Sequence, residues 1–487
     1  MSFSELSQKI NTFLSNIEFK SSEKCQLEYD NANSFARPIW VLGNMYTPDY
    51  SLGQGGPSLI KRNPKTEFRE SSSKDRDYRD TFDYSNSQTN NLSFFKNASG
   101  MTFLNDFYSK LWFSYRKSFA PIKFYVQEPL SGRMVIASEN SQLSSDVGWG
   151  CVIRCTQMLL AQALVVKLLG RSWRKLETLQ PNTKSSKTSG FNRHNESPTE
   201  KQQSAIYSNI LSWFSDTPGN SFSIHTLCEL IVEELKCDNW QPGNWLGPAT
   251  AANIIQQSVE IAKLGMLSLQ LSDLHVYVAR DSLIDPAEVY PEESNFRKED
   301  AVIILVPLRL GTTEFNIEYK NSILKLFCFD NFLGIIGGKP RKSFYFIGAQ
   351  GDELIYLDPH FVQESDANLL GKLVNESTYH CQNPRTLNIS KIDPTMTLGF
   401  IFKNSDEFYD FMKFCQASRV FYRTTDVANG YGIGAHDNPA CPMVSFGCRK
   451  DLDRSDLIID FDDLKLVGCN DNSESSNDRP KEPFVFL

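Results

Sequence analysis

Two short stretches of this chain hold the residue types that covalent chemistry needs. The first is Ser145-Asp146-Val147-Gly148-Trp149-Gly150-Cys151, where two glycines bracket a tryptophan and a cysteine follows. The residues from Cys151 to Leu169 are apolar nearly all round. This predicts a buried helix that opens at the cysteine and stops at Gly170. A thiol at a helix N-terminus sits in a positive field, and thiols in such places titrate at roughly 3.5–7.5. The backbone N–H groups there also suit a developing oxyanion, a contact worth about 3 kcal/mol in a transition state. Flanking glycines let a substrate backbone come close. On these residues alone, Cys151 is either a nucleophile or a small buried side chain.

A nucleophilic thiol needs a base, and the chain has six histidines. His194 lies in a polar stretch, and His225 and His275 sit among apolar residues. His380 and His436 have no carboxylate at a fixed spacing. His360 differs, because Leu357-Asp358-Pro359-His360 follows a predicted strand. Residues i and i+2 of an extended segment share a side, and Pro359 biases Asp358 towards extended backbone. Asp358 would then hold one imidazole nitrogen and leave the other for Cys151, as a base and its orienter. The alternative is a turn capped by Asp358.

Other chemistries are poorly served. His436, Cys441, Cys448 and Cys469 are loosely spaced and include no paired CxxC, so no metal site is expected. Gly334-Ile335-Ile336-Gly337-Gly338-Lys339-Pro340 is glycine-rich but ends in proline, and reads as a mobile loop between strands rather than a phosphate cradle. No cofactor is expected.

These residues must be positioned by regular elements. Phe103, Phe107, Leu111 and Tyr115 lie four apart and predict a helix over Phe103–Phe119. Further helices are predicted over Ala205–Phe214, Ile224–Leu235, Thr250–Leu264 and Glu407–Phe414. After residue 300, short aromatic and β-branched runs predict strands at Ala301–Leu310, Lys325–Phe329, Ser343–Ala349, Glu353–Leu357 and Thr397–Lys403. Gln350-Gly351-Asp352 supplies a hairpin turn. Helices first and an antiparallel sheet later is an α+β pattern. Polar stretches at about 49–100 and 180–203 read as insertions.

Composition bounds the function. Lys+Arg 50 against Asp+Glu 58 leaves a net charge of −8, which counts against nucleic-acid binding. Forty per cent hydrophobic residues over 487 positions support a large core and exclude a wholly disordered chain. The apolar runs Ala301–Leu308 and Leu159–Leu169 fall short of the ~20 residues a bilayer needs. Met1 to Leu14 has no apolar core, so no secretory signal is expected. Eleven cysteines, an odd number, read as buried side chains or one reactive thiol in a reducing cytoplasm, not as a disulfide framework.

The motifs SDVGWGCVIRCTQMLLAQAL, NWLGPAT, GIIGGKP, YFIGAQGDELIYLDPH and DPTMTLGF, in that order, resemble the autophagy-specific cysteine proteases, the autophagins. RPIWVLGNMY and LWFSYRKSF also look like segments of that family, and the match runs from about residue 37 to 415. The resemblance implies a papain-like α+β fold with a central buried helix, an antiparallel sheet and a small helical insertion over about 205–300. The catalytic domain would span 37–445, after a flexible segment over 1–36 and before an acidic tail over 446–487. It implies Cys151 as nucleophile, His360 as base, Asp358 as its orienter and Tyr115 as an oxyanion-hole hydroxyl. Trp245 would cover the cleft, and Gly334, Gly337, Gly338 and Pro340 would belong to a regulatory loop. The implied partner is the ubiquitin-like autophagy modifier, both as precursor and conjugated to phosphatidylethanolamine, with no direct membrane insertion by the protease itself. Phe484 and Leu487, after an acidic stretch, resemble a short motif that docks on that modifier as an added strand. Deletion of Phe484–Leu487 is expected to weaken modifier affinity in titration calorimetry while sparing the intrinsic chemistry, and equal affinity without the tail would refute the motif.

Overall fold

The apolar run that opens at Cys151 forms a 19-residue helix, and the rest of the core is built around it. A computed structural model of the chain describes residues 37–48, 95–122, 125–127, 134–136, 143–175, 198–233, 240–291, 296–365, 375–417, 422–423 and 443–446. All of these fall in one compact unit that ends at Gly447.

In chain order, β1 (Ile39–Val41) and β2 (Asn44–Pro48) make a hairpin that β3 (Phe95–Lys96) extends. Helix α1 (Phe103–Tyr108) precedes β4 (Tyr115–Ile122). A small hairpin of β5 (Tyr125–Gln127) and β6 (Met134–Ile136), then β7 (Leu143–Ser145), leads to α2 (Cys151–Leu169). Helices α3 (Pro198–Phe214), α4 (Ile224–Glu233) and α5 (Thr250–Leu264) follow, with α3 and α5 packed on α2. The short α6 (Ser268–Leu271) then leads into β8 (Leu274–Val278) and β9 (Leu283–Ile284). Beyond α7 (Pro286–Val289) come β10 (Ala301–Arg309), α8 (Lys320–Leu326), β11 (Phe332–Lys339), β12 (Lys342–Gln350), β13 (Glu353–Leu357) and β14 (Val362–Glu364). Then come β15 (Arg385–Asn388), β16 (Thr395–Phe402), α9 (Ser405–Ala417) and two short strands, β17 (Tyr422–Arg423) and β18 (Ser445–Phe446), which form a small sheet with β9.

The main sheet runs β3-β2-β1-β12-β11-β16-β10-β8, with β13 on β12 and β15 on β13. Its pairs are antiparallel except β8 with β10, which run parallel because α7 and its flanking loops carry the chain back across. Helix α2 lies on β11 and β12, so its apolar surface is covered by sheet and by α3 and α5. By length and composition α2 would cross a membrane, contrary to the expectation that no apolar run is long enough. Yet 83% of its most apolar stretch is buried inside the fold, so it is the core helix. A second sheet, β14-β4-β7, places Val362 opposite Tyr115 in a parallel pair.

Four expectations need correction. The predicted helix over Phe103–Phe119 ends at Tyr108, and Tyr115 starts a strand instead. Strand partners on both sides of β4 offer backbone pairing that outweighs a four-residue apolar repeat. Lys325–Phe329 is not a strand but the end of α8 and the turn after it, where the N–H groups of Cys328 and Phe329 bond back to Lys325 and Leu326. The polar stretch at 180–203 ends inside α3, which begins at Pro198. Gly334, Gly337, Gly338 and Pro340 do not form a loop. The three glycines lie in β11, with Pro340 at the turn into β12.

Close approach explains those glycines better than mobility does. Gly334 has φ +112° at an irregularity in the β11–β16 register, and a Cβ there would come 2.5 Å from the Phe346 carbonyl oxygen. Gly334→Ala is therefore expected to destabilise the protein by about 2 kcal/mol, since both the backbone conformation and the space oppose it. Urea unfolding with an unchanged midpoint would show that the strand tolerates the side chain.

Candidate active site

Three segments far apart in the chain meet at the N-terminus of α2. Cys151 is the first residue of that helix, is 2% exposed, and follows Gly150, an N-cap that makes no side-chain capping bond. The lead-in is held by Trp149, whose indole N–H donates to the Ser145 carbonyl at 3.0 Å. Asp146 ties the lead-in to β4: its carboxylate accepts from the Arg116 N–H at 2.6 Å, and its own N–H donates to the Arg116 carbonyl. It also accepts from Arg154, one turn into α2, at 2.7 Å. Arg154 further holds Asp216, so a buried charge cluster lies beneath the start of the helix.

The Asp-Pro-His segment arrives from β13. It is a turn rather than extended chain, because Asp358 Oδ1 accepts both the His360 backbone N–H at 3.0 Å and the ring Nδ1 at 2.7 Å. The capping reading and the orienting reading thus describe one geometry. The turn is fastened to β4 by the Tyr115 N–H, which donates to the Pro359 carbonyl at 2.7 Å. The Trp112 indole N–H donates to the Asp358 carbonyl at the same distance. The His360 ring meets Tyr115 and Phe344 edge-on, with centroids 5.3 and 5.5 Å away. Its other nitrogen is left to bond the Cys151 sulfur. The Tyr115 hydroxyl and the Ser343 backbone N–H also reach that sulfur.

Electrostatics follow from these contacts. Burial pushes the Cys151 thiol up, but the His360 bond, the Ser343 N–H, the His360 charge and the Tyr115 hydroxyl outweigh it and hold the thiol below its ordinary range. Burial also opposes a charge on His360, yet its bonds to Asp358 and Cys151 raise the imidazole to about 9. Burial likewise works against ionised Asp358, and the His360 bonds and charge with the Arg385 charge pull it below the usual carboxylate range. All three shifts favour the same charge state, a thiolate, an imidazolium and a carboxylate in a row. Such an arrangement has the chemistry to attack an acyl carbon with the sulfur and to protonate a leaving group with the ring.

The structure brings Cys151, His360, Asp358 and Tyr115 together. The hairpin that carries Gly337, Gly338 and Pro340 also comes alongside, since Ser343 is paired with Gly338. Trp245 lies in the loop before α5, which Thr397 anchors through the Pro248 carbonyl at 2.8 Å. Its indole is 52% exposed, so it is not a core residue, and among the described residues it makes no hydrogen bond or ring contact. Phe484 and Leu487 lie outside the described residues. Sequence reading missed Ser343, Phe344, Asp146, Arg154 and Arg385. Arg154 left a signal, as a charge inside an otherwise apolar helix, whereas Ser343, Phe344 and Arg385 declare themselves only through strand register.

Residues 101–414 match the peptidase C54 catalytic domain, a span that contains every residue of this site. The chain belongs to the peptidase C54 family. The cysteine protease ATG4C of Xenopus tropicalis is 31% identical over 389 residues, which cover 75% of this chain and 80% of that relative. The human cysteine protease ATG4C is 33% identical over 341 residues, 63% of this chain and 69% of its own. Mouse cysteine protease ATG4A is 33% identical over 331 residues, 63% of this chain and 71% of its own. This peptidase C54 chain is thus a cysteine peptidase of the autophagin family, and its α+β architecture is papain-like.

Burial raises four of the peptidase's other described thiols. Cys155, Cys228 and Cys415 are pushed up, and Cys381 reaches about 11. Iodoacetamide at pH 6 should therefore alkylate Cys151 ahead of these four, because a lowered pKa gives it the larger thiolate fraction. His360→Ala should move that reactivity to higher pH. Peptide mapping that finds Cys155 or Cys381 labelled first would contradict the charge assignment.

Proposed function

We propose that Cys151, His360 and Asp358 are the catalytic triad of an enzyme that cuts the ubiquitin-like autophagy modifier after a glycine. It would remove the C-terminal extension of the precursor and release the modifier from phosphatidylethanolamine, supporting autophagosome formation. The observation that carries this reading is the bonded row of Cys151, His360 and Asp358 at the start of α2, within a peptidase C54 domain.

The steps follow from the charges. The Cys151 thiolate adds to the glycine carbonyl carbon, and the oxyanion is held by the Tyr115 hydroxyl and the Cys151 backbone N–H. The His360 imidazolium gives its proton to the leaving nitrogen as the carbon–nitrogen bond breaks, which leaves a thioester. Neutral His360 then takes a proton from water, the hydroxide attacks, and the thiolate returns as the carboxylate product departs. A peptide amide and an ethanolamine amide differ only beyond the leaving nitrogen, so one mechanism serves both substrates. Specificity for glycine would come from a narrow cleft that excludes side chains, with the exposed Trp245 indole at its lip. The hairpin around Gly337 and Gly338 would adjust access from the other side. Phe484 and Leu487 would add modifier affinity away from the thiol. The catalytic domain would span 37–445, between a short N-terminal segment and an acidic tail, and the enzyme would act in the cytoplasm, where its thiols stay reduced.

Cys151→Ser should lower cleavage of a modifier precursor at least about a thousandfold. Tyr115→Phe should lower kcat about a hundredfold, the scale of one oxyanion donor. A panel of tagged ubiquitin-like precursors read by gel shift tests the substrate: turnover of ubiquitin alone, or full activity in Cys151→Ser, would overturn this assignment.

A further inference from the structure

The carboxylate that orients His360 is itself held. Asp358 spends Oδ1 on both contacts with His360. An Asp side chain turns easily about its last torsion, which is broad and two-fold, so bonds to one oxygen leave the plane of the carboxylate loose. Its second oxygen, Oδ2, accepts from Arg385 Nη1 at 3.1 Å. Arg385 opens β15 directly opposite Tyr356 on β13, so strand pairing fixes its place beside the residue that follows that strand's end. The guanidinium also lies over the Phe361 ring, 4.6 Å from its centroid. Phe361 meets Trp112 edge-on at 5.7 Å, and Trp112 returns to Asp358 through its carbonyl. Arg385, Phe361, Trp112 and Asp358 thus close a ring of contacts around the Asp-Pro-His turn.

We infer that Arg385 is a positioning residue of this peptidase, holding Asp358 in the orientation in which it supports protonated His360. The inference rests on the triad assigned above. A planar guanidinium stacked on an aromatic face suits the task, because both its plane and its charge are fixed. Among the described residues, the ionisable and charged groups that face the pair of Asp358 and His360 are Cys151 and Cys155 from α2, Tyr115 from β4, Cys381 from the segment before β15 and Arg385 at its start. Arg385 is the fixed cation of this set, and its loss has two opposite consequences. Removal of a nearby cation alone would make His360 easier to protonate. Release of Asp358 from its orientation would make it harder.

The pH dependence of kcat/KM for cleavage of a modifier precursor by the full-length chain separates the two. Arg385→Ala is expected to lower kcat/KM by about tenfold to a hundredfold, mostly in kcat, the scale of a misplaced catalytic group. Its alkaline limb, which reports His360 in the free enzyme, should move to lower pH. Arg385→Lys keeps the charge without the planar fork and should fall between the two enzymes, with a smaller shift in the same direction. That variant supplies the readout if Arg385→Ala does not fold. Wild-type kcat/KM in Arg385→Ala, or an alkaline limb unmoved or moved to higher pH in either variant, overturns the inference. The triad assignment is judged separately by Cys151→Ser in the same assay.

Discussion

A sulfur buried to 2% exposure cannot hold a negative charge on its own, and the whole site is arranged around that fact. Burial disfavours the ionised form of any group, so a buried thiolate requires a cation in contact. His360 is that cation, but its ring is buried too and needs an anion, which Asp358 supplies. The three charges are mutually dependent, and none has its present state without the next. The fold therefore has to bring residue 151 to residue 360 with hydrogen-bond accuracy across most of a domain.

Strand β4 meets that requirement. Its first residue donates to Pro359 in the histidine turn, and its second donates to Asp146 in the cysteine lead-in. Two adjacent backbone N–H groups on one strand thus hold the two halves of the site, while the Tyr115 side chain reaches the sulfur between them. A one-residue slip of β4 would break both bonds and turn Tyr115 away, so the register of one strand sets the distance between Cys151 and His360. Beneath it, Arg154 joins Asp146 and Asp216 in a place with almost no solvent. Loss of one member of such a buried group typically costs about 3–5 kcal/mol, because the others are left uncompensated. Rigidity at the start of α2 therefore has a polar origin in an otherwise apolar helix.

Much of this was legible in the chain. The helix from Cys151 to Gly170 could be read because a continuous apolar run has only one buried solution at that length. Thr250–Leu264 and Glu353–Leu357 could be read because their periodicity is local and unambiguous. The segment after Tyr108 misled, since Leu111 and Tyr115 continue a helical spacing while strand partners from remote parts of the chain claim the backbone. The glycines of β11 misled for a related reason. Glycine marks a turn or a close approach, and only the neighbouring Phe346 carbonyl shows that Gly334 is the second kind. Of the site, Cys151 and the Asp358–His360 pair announced themselves by local spacing, and Tyr115 entered only through a family resemblance. Ser343, Phe344 and Arg385 depend on hairpin and strand register that no local pattern encodes.

The comparison of Cys151 with Cys155 shows which physical effect activates the thiol. Both lie on α2, one turn apart, and both are almost fully buried. Ser343 reaches both sulfurs, through its backbone at Cys151 and its side chain at Cys155. Yet Cys151 is lowered and Cys155 is pushed well above the ordinary value. The field at a helix N-terminus is generally worth about 0.3–1 kcal/mol, rising to ~2 in partly buried places, and fades within the first turn. That field favours Cys151, but it is small against the several units by which full burial raises a thiol. What separates the two is first the imidazolium, which touches one sulfur and not the other, with the Ser343 backbone N–H and the Tyr115 hydroxyl adding to it at Cys151 alone. The helix start therefore supplies position and free N–H groups, while His360 supplies the largest share of what lowers the thiol and the cation it faces. This also explains why the late sheet, and not the helix alone, decides that this chain has one activated thiol on α2.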